Sequence, residues 1–188
     1  VIDPKRADGD YPFKEISGAV VAYKFLQVMA LLKRGGEEKG ETFADTESSS
    51  QDESKVLLSD FDEVTSSFFS EKIIFAGIAT VCDVMELKDE NRIIVKESLK
   101  RIPYSENKGL RALINVNSID SRNMTSYHYG FVIGPCLNAT GRLDLASRAL
   151  SLFHSEDEAE AASIATDLKN LNDSRKDMTF LIAFEPSS

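Results

Sequence analysis

Basic residues are scarce: 22 Lys and Arg stand against 31 Asp and Glu, a formal net charge of -9 over 188 residues. A surface that wraps nucleic acid neutralises phosphates with Lys and Arg in excess, so the overall balance counts against one here. The two cysteines, Cys82 and Cys136, form no CxxC pair. That excludes a disulfide scaffold and a zinc site and fits a reducing cytoplasm. Histidine is equally sparse, and neither His128 nor His154 has a second His or Cys at ligand spacing, so both read as packed or surface residues. No run approaches the roughly 18 apolar residues of a membrane span, and the first residues lack the basic-then-apolar order of a secretory signal. The sequons at Asn123, Asn138 and Asn172 are then chance matches. Walker and Rossmann glycine loops, a Ser-His-Asp or Cys-His arrangement and internal repeats are all missing.

What is present is enough apolar residue, 42%, for one buried core. The charge is concentrated: between Glu37 and Lys72 stand eleven acidic and three basic residues, so -8 of the -9 falls in that window. Its Ser-rich, apolar-poor composition predicts an insertion or mobile loop over 37–72. Before it, Val1 and Ile2 read as the end of a strand stopped by Pro4. Ala19 to Leu32 recur at helical spacing around most of a circumference, predicting a buried helix that Gly35-Gly36 stops. Together these make a first unit over 1–36. The chain opens on Val1 without Met and reads as a piece of something longer.

After the window, Ile73 to Cys82 is a nearly unbroken apolar run ending in Asp83. A short amphipathic helix follows, with Ile93, Ile94, Val95 and Leu99 inside and Lys96, Lys100 and Arg101 outside, closed by Pro103. Leu110 to Val116 is another. Tyr127 to Asp144 is too irregular for one regular element. Ser155 with Glu158 has capping-box form and opens a long helix over 155–188, with Ala159, Ala162, Ile164, Ala165, Leu168 and Leu171 as its stripe. The fold expected is mainly α.

Two places invite chemistry. A carboxylate at the end of an apolar run is desolvated and needs a cation, a metal or donors, which makes Asp83 a candidate metal ligand; a helix cap facing solvent is the alternative. In GPCLNATGR, Gly134 to Arg142, the glycines admit close approach of a ligand, Asn138 offers an amide and Arg142 a fork matching phosphate oxygens. The alternative is a Gly-Pro loop whose Arg142 pairs with Asp144. Asp8, Asp10, Asp60, Asp62 and Glu63 lack EF-hand order and read as solvated loop acids.

Three blocks taken in order, VIDPKRADGDYPFKEISGAVVAYK, AGIATVCDVMELKDENRIIVKESLKRI and YGFVIGPCLNATGRLDLASRALSLF with its following helix, carry a resemblance. The chain resembles the RecJ-type single-strand-specific exonucleases of the DHH phosphoesterase superfamily. The resemblance implies the helical C-terminal portion of an α/β domain, with residues 73–154 holding the helical part and residues 155–188 leading toward a second domain. It implies 5'-to-3' hydrolysis of single-stranded DNA by two divalent ions, Mn2+ or Mg2+, and maps one metal-binding Asp onto Asp83. Asn138, Gly141 and Arg142 become candidates for contact with DNA phosphate.

The family's earlier Asp and Asp-His-His motifs and its C-terminal domain are not in this sequence. Cys136 stands where the family commonly has Arg, Glu86 where it has Pro and Asp3 where it has Asn. The chain alone is therefore expected to be inactive and to bind DNA weakly, with no part in a membrane. The rival readings are a phosphoesterase for oligonucleotides or cyclic dinucleotides, and a non-catalytic helical interaction domain in which Asp83 is a cap.

Overall fold

A computed structural model describes residues 3–6, 8–39, 63–138 and 143–184. Among these residues the regular structure is entirely helical, as expected: α1 (Gly18–Lys39), α2 (Glu63–Cys82), α3 (Asp89–Arg101), α4 (Lys108–Val116), α5 (Ser126–His128), a π turn (Tyr129–Ile133), α6 (Gly134–Asn138), α7 (Leu143–His154) and α8 (Glu158–Phe184). None of the helices is long and apolar enough to cross a membrane, among the described residues.

The apolar run that ends at Cys82 is the central helix, α2. A helix apolar around its circumference is stable only when buried on more than one side, and α2 divides two clusters. On one side Phe69, Ile73 and Ala76 pack with Ile16, Val20 and Tyr23 of the α1 segment and with Ile94 of α3. On the other, Ile74 and Ile78 join Leu110, Leu113 and Ile114 of α4, Tyr129 and Ile133 of the π turn, Leu152 of α7, and Ala161, Ala165 and Leu168 of α8.

Glycine sets the two closest approaches. A methyl at Gly77 of α2 would lie 2.3 Å from Ser98 Cβ on α3, and one at Gly109 of α4 would lie 1.9 Å from the Leu152 carbonyl oxygen on α7. Buried Asn91 ties the first turn of α3 to the segments before α1 and before α3, donating to the carbonyls of Glu15 at 2.7 Å and Glu86 at 2.9 Å. Nearby, Lys24 pairs with Glu90 at 2.8 Å and Tyr11 donates to the same carboxylate at 2.6 Å. Burial pulls the Lys24 ammonium down, but these hydrogen bonds outweigh it and leave its pKa raised.

Several expectations are corrected. Helix α1 continues through Gly35-Gly36 to Lys39, since helical hydrogen bonds tolerate glycine at a cost of about 1 kcal/mol each. Nor is it buried all round: Phe25, Leu26, Val28, Met29 and Leu32 are exposed, because among the described residues only its Val20 and Tyr23 side has a helix to pack on. Residues 63–72 of the acidic window begin α2; residues 40–62 lie outside the described residues, as do Val1 and Ile2. Ile93 is 62% exposed, since it shares the outer face of α3 with Lys96 and Lys100 at helical spacing.

The stretch 126–138 is helical throughout, with one π turn absorbing its irregularity, and α7 was not anticipated. The cap of α8 is Asp157, whose Oδ1 accepts from the Glu160 amide at 2.7 Å; Ser155 instead donates to the Glu160 carboxylate. The buried stripe of α8 is Ala161, Ala165, Leu168 and Asn172, while Ala159, Ala162 and Leu171 are exposed.

Candidate functional site

Asp83 stands where α2 ends. The Val84 amide donates to the Val81 carbonyl at 3.1 Å and the Met85 amide to the Thr80 carbonyl at 3.1 Å, the paired bonds of a Schellman turn. That turn needs a left-handed residue just beyond the helix, usually Gly, and here it is Val84 at φ 56°. A β-branched residue in that region is strained by about 1–2 kcal/mol, a cost that tends to persist where function holds it. Val84 points outward and is 88% exposed.

The desolvation expected of Asp83 does not occur in this chain. The turn carries the backbone out of the apolar run, so the carboxylate is exposed, and it pairs with no side chain among the described residues. Burial falls instead on the preceding residue. The Cys82 thiol is pushed up to about 11, first by desolvation and then by the Asp83 charge; it also donates to the Tyr129 carbonyl at 3.6 Å.

The second block begins against that thiol. A methyl at Gly134 would lie 2.6 Å from Cys82 Sγ and 3.0 Å from the Tyr129 carbonyl oxygen, so the start of α6 seats one residue away from Asp83 only because residue 134 has no side chain. Asn138, one turn further along α6 on the same face, is exposed. Gly141 and Arg142 lie outside the described residues, and with them the alternative pairing of Arg142 with Asp144. Cys136 is wholly buried, within 3.8 Å of Asn117. It is a packing position in this fold.

The π turn is fixed from inside. The buried Tyr129 hydroxyl meets Ser98 Oγ at 2.7 Å, and Ser98 donates to the Ile74 carbonyl at 3.2 Å, so one junction joins α2, α3 and the turn. Burial holds the Tyr129 phenol well above its ordinary value. On the opposite face Tyr127 and Phe131 stack at 4.9 Å with 23° between their rings, 61% and 66% exposed. The sequence reading passed over this pair, although aromatics four apart in YHYGF meet on one helical face. His128 accepts from the Thr125 amide at 3.1 Å in a capping box, a structural role. Asp8 pairs with Arg6.

Among the described residues no three His, Cys, Asp or Glu side chains come together to hold a metal ion. Asp83 here is a single exposed carboxylate, and by itself it does not fit a divalent centre.

Comparison with known proteins bears on this arrangement. No protein-family model matches the chain. The single-stranded-DNA-specific exonuclease RecJ of Bacillus subtilis is 29% identical over 178 residues, 95% of this chain and 18% of that protein. RecJ of Dickeya dadantii is 30% identical over 182 residues, 95% of this chain and 28% of that protein. The crystal structure of Thermus thermophilus RecJ in complex with Mg2+ superposes with a TM-score of 0.55 and 34% identity, over 60% of this chain and 18% of that one. The chain is similar to RecJ along nearly its whole length. It spans between 18% and 28% of the length of these RecJ relatives, and the helical fold above corresponds to part of the RecJ structure. A second structure of the Thermus RecJ is in complex with Mn2+.

Proposed function

We propose that this chain is part of a metal-dependent 5'-to-3' exonuclease acting on single-stranded DNA in the cytoplasm, and that Asp83 contributes one carboxylate to a Mn2+ or Mg2+ centre of the DHH phosphoesterase type. The observation that carries the reading is the exposed, unpaired Asp83 on a strained turn seated against Gly134, in a chain similar to RecJ over 95% of its length. Two ions in such a centre activate water and neutralise the charge developing on phosphate. The described residues do not bring together the carboxylates that such ions require, so the chain alone is inactive and holds DNA weakly. Asn138 is exposed on the side of α6 that faces the Cys82 end of α2, in keeping with contact to a phosphate beside Asp83; Gly141 and Arg142 follow it in the sequence.

The test is Asp83→Ala and Asp83→Asn in the full-length protein. Hydrolysis of a labelled single strand in Mn2+ falls by about two orders of magnitude or more, while the melting temperature stays within a degree or two because the side chain is exposed and unpaired. Retained hydrolysis sinks the assignment of Asp83. Measurable exonuclease activity in the 188-residue chain alone sinks its inactivity.

A further inference from the structure

The chain is acidic, yet one groove among the described residues has no carboxylate on its walls. It has a volume of about 590 Å³ and lies between α3 and the turn leading into α5, with Arg92, Lys96, Lys100 and Arg122 around an apolar floor that includes Val95 and Met124. Arg92, Lys96 and Lys100 are one helical turn apart on α3, where like charges at this spacing repel and weaken a helix. Lys100 is relieved by Glu97 at 2.7 Å. The side chains of Arg92, Lys96 and Arg122 are exposed and meet no carboxylate among the described residues.

A row of cations on one helix is ordinarily a solvated face. Here the cations converge from two elements onto a groove with an apolar floor, and the groove runs out at Ser126. The next residue is Tyr127, the first member of the stacked, exposed Tyr127–Phe131 pair. Cations that follow a backbone, beside flat rings open on one face, are the two components of a single-strand binding surface.

We infer that this groove and the Tyr127–Phe131 pair dock single-stranded nucleic acid: Arg92, Lys96 and Arg122 take phosphates, and the aromatic pair takes a base. The choice of nucleic acid over other polyanions rests on the proposed function, which it deepens by naming residues that hold the strand.

The test is fluorescence anisotropy of a labelled oligo-dT of about 12 nucleotides with the 188-residue chain, in EDTA so that hydrolysis plays no part. Binding is weak and falls steeply with salt. The triple reversal Arg92→Glu, Lys96→Glu, Arg122→Glu lowers affinity more than about tenfold and flattens the log–log salt slope by about 2, at about 0.7 per phosphate contact. Tyr127→Ala with Phe131→Ala loses about tenfold on oligo-dT and almost nothing on an abasic strand of equal charge. Reversal of Lys108 and Arg111 on α4, outside the groove, changes affinity much less, and circular dichroism shows each variant folded.

Three results overturn the inference: no binding by the parent chain at low salt, equal losses from the α4 control, or equal competition by polyglutamate together with no effect of the aromatic variants. All of these read metal-free binding. The Asp83 variants read hydrolysis, so either idea can fail while the other stands.

Discussion

The junction of α2, α3 and the π turn positions both Asp83 and the cationic face of α3, and it can be tested by one methyl group. In Gly77→Ala the added carbon would lie 2.3 Å from both Cβ and Oγ of Ser98. The hydroxyl could rotate, but Cβ is fixed to the α3 backbone, so the helices themselves must separate. Overpacking of this kind costs about 1–3 kcal/mol. Separation also loosens the Ser98 bonds to the Ile74 carbonyl and Tyr129 hydroxyl, at about 1 kcal/mol each. The better helix propensity of Ala returns about 1 kcal/mol. The net is a loss of about 2–4 kcal/mol.

Ser98→Gly alone loses both hydrogen bonds and some helix propensity, about 2–3 kcal/mol. In the double variant the methyl enters the space that Ser98 leaves. The double therefore falls short of the sum of the singles by about 2 kcal/mol, a coupling read from a double-mutant cycle. Urea unfolding followed by far-UV circular dichroism measures all four proteins, with a constant m value as the check on two-state behaviour. Additive single effects, or a Gly77→Ala variant as stable as the parent, would refute the close approach of α3 to α2.

Two further outcomes follow from local chemistry. Because burial pushes the Cys82 thiol up to about 11 from an ordinary 9.0, its alkylation at pH 8, followed by mass spectrometry, should be about a hundredfold slower than that of a free thiol. The raised value means the fold favours the neutral thiol, so this contribution to stability is complete below pH 9 and is lost as pH rises through about 11; reaction at the rate of a free thiol would contradict the burial. Asp157→Ala removes the carboxylate that caps α8 through the Glu160 amide and should cost about 1 kcal/mol, whereas Ser155→Ala should cost less. The reverse order, measured by thermal melting, would return the cap to Ser155.

The helices were legible where sequence pattern and packing agree. The apolar run to Cys82, the α3 pattern with its Pro103 stop and the 110–116 segment all appear, because each buries a face that its spacing defines. The misreadings share one physical cause: local pattern does not say what lies opposite. The spacing of α1 is apolar on most of its circumference, but burial takes two partners and the described residues supply one. Ile93 looked interior because it is apolar, yet its neighbours at three and seven residues are lysines. The cap of α8 moved from Ser155 to Asp157 because either Ser or Asp at the head of an acidic run satisfies the same rule, and only the backbone decides which residue is non-helical.

The site was partly legible, and the part that failed is informative. Asp83 was singled out for desolvation, whereas the structure places burial on Cys82 and exposes Asp83 through a left-handed Val84. A residue strained in that way gains nothing for folding that Gly would not supply better, so its presence here is a reason to look for function at the turn itself. The same argument bears on charge. Folding alone gives no reason for Arg92, Lys96 and Arg122 to border one groove without a carboxylate while -8 of the net charge lies between Glu37 and Lys72. Segregation of this kind costs self-repulsion on both sides, and a bound polyanion relieves it in the groove. Net charge, which first counted against nucleic acid, is thus the wrong scale on which to judge this chain; the scale that matters is a groove bordered by Arg92, Lys96 and Arg122 and the strand that would neutralise them.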